Sequence, residues 1–256
     1  MSITSTTHEG THDGIVEIVM ANPPVNALTV AGWFDLAEQV TAAGRNQDVG
    51  AVVLRAEGKG FNAGVDIKEM QSTEGFDALI GANKGCYAAF SAIYLCEVPV
   101  IAAVHDFCLG GGIGLVGSAD IVVAAEGTRF GLPEVNQGAL GGATHLARLV
   151  PQHKMREMVF TAEPVDASLL HAWGSVSQIV SHDQLRATAM GIAEVICTKS
   201  RLVIRRAKEC LNGIDPNEPN RSYRFEQGFT FELNLTGVSD EARDAFVSKT
   251  DAKFSR

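Results

Sequence analysis

The chain is short of most features that mark the commoner ligand classes. Its 256 residues hold only 21 Lys and Arg against 30 Asp and Glu, a net charge of −9. That balance argues against a nucleic-acid groove, although a local basic patch can still meet a phosphorylated small molecule. The five cysteines, Cys86, Cys96, Cys108, Cys197 and Cys210, are odd in number, form no CxxC pair and mostly sit in apolar surroundings. This suits buried, reduced thiols in a cytoplasmic protein rather than a disulfide framework. The first dozen residues are polar, with no basic start and no apolar core of a leader, and no apolar run approaches the length of a membrane span. A soluble, cytoplasmic protein with no membrane partner is therefore expected. GxGxxG and GxxxxGK[ST] are both absent, which removes the dinucleotide fingerprint and the P-loop. Without HExxH, and without any His/Cys cluster at ligand spacing, no metal is expected. No internal repeat or low-complexity tract stands out.

What is present is an architectural cycle. Residues 14–20 alternate like a strand, AsnProProValAsnAla at 22–27 breaks the pattern, and a helical period runs from Val30 to Ala43. Strand, glycine loop and helix then recur over 51–55, about 58–67 and 75–95, and again over 98–104, 108–112 and 112–118, before a strand at 120–125. Strands alternating with helices imply an α/β domain. Beyond it, residues 153–160, 166–173, 183–199 and 201–212 read as helices, with one strand at 176–180. After the linker at 215–220, two more helices are expected over 223–235 and 240–248. The tail has too little apolar surface to form a core alone, so it should pack on the domain or on a neighbouring subunit.

Two of the glycine loops carry the chemistry. Gly110, Gly111 and Gly112 follow an apolar strand and precede a small-residue helix, which puts bare backbone N–H groups at a helix N-terminus. The turn from Gly58 to Ile67 has the same character. A third loop holds one acid, Glu134, beside Pro133 and Gly131. Two donor loops and one carboxyl group are what a site needs to hold an enolate and move a proton. Each part also has a structural reading: glycine clusters mark tight turns, and a loop carboxylate often accepts turn N–H groups. His105 and His145 flank these loops, where a histidine can be base, orienter or hydrogen-bonded filler. Asn136 could orient a water beside Glu134, and Asp120 is read as satisfying backbone. Tyr223, Phe225, Phe229, Phe231 and Phe246 read as interface packing that a bulky acyl group could share.

The segments GFNAGVDIKEM (60–70), CLGGGIG (108–114) and FGLPE (130–134) resemble the signatures of the crotonase, or enoyl-CoA hydratase/isomerase, superfamily. The likeness runs from AsnProProValAsnAla near the start to SDEARDAFVSK at 239–249. It implies an α/β fold, a spiral of ββα units over residues 1–198, and a C-terminal helical region over 199–256 that forms homotrimers, often paired into homohexamers. It further implies an acyl-CoA substrate, with coenzyme A as part of that substrate and no separate cofactor. Carried over by position, Val65 and Gly111 would donate backbone N–H groups to the thioester oxygen, and Glu134 would be the acid/base. His145 is a secondary catalytic candidate. Substrate contacts would come from Ala63, Asp66, Lys68, Gly110 and Asn136, and from Lys253 and Phe254 of the tail. Removing one main-chain donor of this kind typically costs about 3 kcal/mol of transition-state stabilisation.

The chain departs from the hydratase pattern at Gly114. Hydratases of the family place a second glutamate there, and a glycine neither activates water nor delivers a proton, so simple hydration is disfavoured. The glycine is expected to leave room instead. Within the superfamily the wording resembles a branch that opens a steroid-derived bicyclic ketone CoA thioester: water attacks the ring ketone and the breaking carbon–carbon bond leaves a dienolate. A Δ3,Δ2-enoyl-CoA isomerase, a hydratase-like enzyme and a non-catalytic CoA-binding scaffold stand as alternatives.

Overall fold

The computed structural model describes residues 2–73 and 75–250. A six-stranded sheet forms its frame, built from β1 (Ser2–Thr7), β2 (Ile15–Ala21), β3 (Ala51–Ala56), β4 (Val100–Val104), β6 (Ile121–Ala125) and β9 (Gln178–Val180) in that spatial order. Only β1 runs antiparallel to its neighbour. A second sheet of three short strands, β5 (Phe107–Leu109), β7 (Arg129–Gly131) and β8 (Val165–Asp166), stands beside it. Single bridges from Leu28 to Val65 and from Asn62 to Cys108 continue the same pattern toward the N-terminus. Each turn of chain thus leaves a strand in the large sheet, adds an extended piece beside the previous one, and enters a helix. This repeat is the ββα spiral.

The helices are α1 (Val30–Arg45), α2 (Ile67–Ser72), α3 (Asp77–Tyr94), α4 (Gly111–Ser118), α5 (Ala143–Leu146), α6 (Gln152–Thr161), α7 (Ala167–Ala172), α8 (His182–Cys197), α9 (Arg201–Gly213), α10 (Pro219–Leu235) and α11 (Val238–Ser248). The central strands are buried on both faces, as a covered parallel sheet requires. Alternate residues split cleanly between two cores. Val52, Leu54, Val100 and Ala102 face the cluster containing Trp33, Phe90 and Ile113, while Ala51, Val53, Ile101 and Ala103 pack on Leu185, Ala189 and Ala193 of α8.

Several elements depart from the sequence reading. The polar start is an edge strand, because the run from Ile3 to Thr7, β-branched except at Ser5, pairs with β2 while burying only Ile3. The small sheet is built from strands of two or three residues, too short to show a period. Helix α10 begins at Pro219, earlier than its apolar pattern suggests, since the Glu218 carboxylate accepts the N–H groups of Asn220 and Arg221. Its Tyr223 belongs to the main core, so this tail helix packs on the domain.

Candidate active site

The first donor loop is fixed from below by two asparagines. Asn62 accepts the Gly64 N–H at 2.8 Å and donates to the Asn26 carbonyl at 2.5 Å; Asn26 donates to the carbonyls of Glu57 and Gly60 at 2.8 Å each. Leu28 N–H donates to Gly64 O and Asp66 N–H to Leu28 O, both at 2.9 Å. The bridge consumes the groups on either side of Val65, and the Val65 N–H finds no acceptor among the described residues. Asn26 was legible only as part of a chain break, and Asn62 only as part of a signature; their hydrogen bonds hold the loop.

The second loop enters α4 through Gly110, whose φ of 57° and ψ of −120° suit a residue with no Cβ. Gly111 is the first residue of that helix, so its N–H has no intrahelical partner. The two loops touch. A Cβ on Gly64 would lie 3.0 Å from the Gly111 nitrogen, and one on Gly111 would lie 3.2 Å from Gly64 Cα. Glycine at both places lets the two main-chain segments close into direct contact.

Glu134 opens a single 3-10 turn, Glu134–Gln137, closed by Gly138 at φ 60°. Its carboxyl lies over the second loop, since a Cβ built on Gly110 would come 3.0 Å from Glu134 Oε1. Some of the residue stays accessible, but Oε2 is sealed from solvent and has no partner. Burial therefore dominates and raises the carboxyl from 4.5 to about 8, with its own backbone N–H opposing and the nearby Glu226 adding to the rise. Glu226, on α10, accepts N–H groups from Ala143 and Thr144, at 3.0 and 2.5 Å. It joins the tail helix to α5 beside the site.

These parts share a cavity of about 300 Å³. Ala63, Val65, Gly110, Gly111 and Glu134 all line it, with Phe90, Tyr223 and the α3 residues Leu79 and Cys86 forming much of the apolar wall. Burial pushes the Cys86 thiol up, and the adjoining charge of Glu134 acts in the same sense. Such a thiol is inert. A more polar groove between α2, α3 and α11 shares Met70, Leu79, Asn234 and Arg243 with the cavity. Of the C-terminal aromatics, Tyr223 and Phe246 reach the cavity, while Phe225 and Phe229 pair edge to face with Phe225 exposed.

Four expectations need correction. Gly114 leaves no room: a Cβ there would clash with the Phe90 ring, which itself lines the cavity. The place of a second acid is filled by an aromatic wall. His145 is fully buried behind that wall, edge-on to Phe90 and Tyr223, with both ring nitrogens unpartnered and absent from the cavity lining. Burial depresses it to about 3, so the ring is neutral. Asn136 is exposed and off the cavity wall, because a 3-10 turn aligns residues three apart and so turns Glu134 and Gln137 the same way. Asp66 also lies off the wall; its carboxylate caps α2 through the N–H groups of Lys68 and Glu69.

Lys68 is exposed on α2 outside the cavity, and Lys253 and Phe254 lie outside the described residues. His105 is buried and its Nε2 meets the Gly58 carbonyl at 3.0 Å, a structural bond. Asp120 accepts the Val100 N–H and pairs with Lys208. Among the described residues no group of three His, Cys, Asp or Glu is placed to hold a metal ion.

The geometry can be set against known proteins. The model of the enoyl-CoA hydratase/isomerase family matches residues 10–256. The chain belongs to that family. It is 64% identical over 250 residues to the (7aS)-7a-methyl-1,5-dioxo-2,3,5,6,7,7a-hexahydro-1H-indene-carboxyl-CoA hydrolase of Mycobacterium tuberculosis, covering 98% of this chain and 100% of that one. It is 60% identical to the protein of the same name from Rhodococcus jostii, covering 96% of this chain and 95% of that one. Among solved structures, carnitinyl-CoA hydratase from Mycobacterium avium superposes with a TM-score of 0.84 at 26% identity, covering 99% of this chain and 98% of that one. The crotonase fold and the ββα spiral are thus shared with hydratases, whereas the high sequence identity is to hydrolases.

Proposed function

We propose that this enzyme hydrolyses a ring carbon–carbon bond in a bicyclic, steroid-derived ketone held as a CoA thioester. The observation that carries the reading is a solitary enclosed carboxyl, Glu134, beside two touching glycine loops in which, among the described residues, the loop hydrogen bonds use the groups around Val65, and Gly111 opens a helix, with Phe90 where a second acid would stand. The identities of 64% and 60% to hydrolases of such a thioester support it.

The steps follow from the groups present. Ionised Glu134 takes a proton from water as the water oxygen bonds to the ring carbonyl carbon, and the carbonyl electron pair moves to oxygen. As that oxyanion collapses, the ring carbon–carbon bond breaks, and its electron pair spreads through the conjugated system to the thioester oxygen. The N–H groups of Val65 and Gly111 hold the negative oxygen against a largely apolar wall, where a donor acts more strongly than in solution. Glu134 then returns its proton to carbon. One water is consumed, and one carboxylic acid and one C–H bond are formed. A pKa of about 8 keeps the carboxyl able both to take and to give that proton near neutrality. A Δ3,Δ2-enoyl-CoA isomerase would use the same base and donors, but leaves its substrate's mass unchanged.

We assign the CoA moiety to the outer rim, with Lys68 and, from the tail, Lys253 and Phe254 as contacts. The assembly is proposed to be a homotrimer or homohexamer, supported by exposed apolar side chains on the C-terminal helices, among them Leu202, Leu211, Ile214 and Leu235. A cytoplasmic setting agrees with five free cysteines. Incubation of the purified protein with a bicyclic ketone thioester and with a 3-enoyl-CoA, read by mass spectrometry, tests the reading. Addition of one water to the ketone alone is expected; turnover of the enoyl thioester alone would overturn it.

A further inference from the structure

The polar side chains lining the cavity are nearly all engaged. Thr230 takes the Leu140 N–H at 3.1 Å and donates to the Leu140 carbonyl. Asn234 donates to the Thr230 carbonyl at 2.7 Å and accepts from Arg243 at 2.8 Å, and Arg243 also pairs with Asp240. Tyr223 lies against Cys86 and Gln227. Three atoms remain, each enclosed and, among the described residues, without a partner: Glu134 Oε2, Asn83 Nδ2 and Gln137 Oε1. A buried polar atom left without a hydrogen bond is costly, so three such atoms lining one cavity call for a ligand that completes them.

Their chemical characters are complementary. Glu134 is the base, Gln137 Oε1 accepts a hydrogen, and Asn83 Nδ2 donates one. Glu134 and Gln137 are three residues apart on a 3-10 turn and therefore lie one above the other. Asn83 comes from α3, and its main-chain carbonyl accepts from Gln227 Nε2 at 2.8 Å, which fixes this point of the helix against α10. We propose that Asn83 donates to the ring carbonyl oxygen and strengthens its hold as that oxygen becomes an oxyanion, while Gln137 accepts the second hydrogen of the attacking water. The site then has two electrophile-holding devices: main-chain N–H groups for the thioester and a side-chain amide for the ketone. An enzyme that only shuttles a proton beside a thioester has no use for the second. The proposal rests on the hydrolytic reading for its reaction, but the Asn83 contact can be measured by binding alone.

The test uses the Glu134→Gln protein, expected to turn ligand over slowly enough for titration, and two bicyclic CoA thioesters, one with the ring ketone and one with a methylene in its place. Titration calorimetry is expected to show a preference for the ketone of roughly tenfold to a hundredfold, the loss expected for one buried donor. Adding Asn83→Leu should erase the preference while the methylene thioester binds as before. Adding Asn83→Asp, which keeps the side-chain shape, should reverse it. Adding Gln137→Leu should leave it intact. A preference that survives both Asn83 changes, equal loss of affinity for both thioesters, or a preference that vanishes with Gln137→Leu would overturn the assignment. Failure of the wild-type enzyme to add water to the ketone would instead defeat the hydrolytic reading, and the binding preference would still report on Asn83.

Discussion

The Phe90 ring is packed against Gly114 so closely that the glycine has no space for a side chain, and the same ring lines the cavity that Glu134 also lines. The lack of a second acid is thus built into the packing from both sides. Trp33, His145 and Tyr223 surround Phe90 and hold it there. Gly114→Glu should accordingly lower stability by about 1–3 kcal/mol through overpacking and should create no hydratase. Thermal unfolding and an enoyl-CoA hydration assay check this. Detectable hydration in Gly114→Glu with an unchanged melting temperature would show that the ring yields.

Glu134→Gln should lower kcat on the ketone thioester by roughly 10²–10⁴-fold with a smaller change in KM, as expected for loss of a general base. Wild-type kcat/KM should rise with pH along a limb near 8, the value to which burial lifts this carboxyl. Steady-state kinetics across pH measures both.

The same shift has a stability consequence of definite sign. Because the folded state raises Glu134 from 4.5 to about 8, the folded protein binds the extra proton within that window, and its linked stability is full below it. It is lost as pH rises toward about 8. Denaturation midpoints of wild type and Glu134→Gln should move apart in favour of the glutamine protein as pH rises, and level off above. A constant difference across the window would contradict the assignment of an enclosed carboxyl.

His145 should contribute no charge to catalysis. Burial holds it near 3 and both nitrogens lack partners, so His145→Leu should keep kcat within a few-fold and leave stability level or higher, since an apolar group replaces an unsatisfied polar one. A large loss of kcat with a changed pH profile would restore a chemical role to it.

At the donor loops the backbone matters more than the side chains. Val65→Ala should be mild. Gly110→Ala should lower kcat by about tenfold or more, because φ of 57° strains any side chain and the new Cβ would sit 3.0 Å from Glu134 Oε1. Kinetics on both variants separates the two effects.

Much of this was legible in the sequence, and the exceptions have physical causes. The strands from Ile15 to Ala125 and the helices α1, α3 and α4 show in period and glycine punctuation, because their burial is regular. The small sheet did not show, since two or three residues cannot display a period. Glu134 and the two glycine loops were readable because their chemistry depends on local backbone and a single acid. Phe90, Asn83 and Gln137 were not. Each matters through what a distant segment leaves beside it: Phe90 through Gly114, and the two amides through the closing of α10 and the Glu134 turn around one cavity. The sequence reading selects Asn136 and passes over Gln137; the pitch of the turn puts Gln137, not Asn136, on the cavity wall.

The most direct test is to let the enzyme act on a bicyclic ketone CoA thioester in water labelled with heavy oxygen and deuterium. The account predicts a ring-opened product with its thioester intact, the heavy oxygen in the newly formed carboxylate and deuterium on the carbon released from the ketone. Release of free CoA, or a product with no oxygen from solvent, would contradict it.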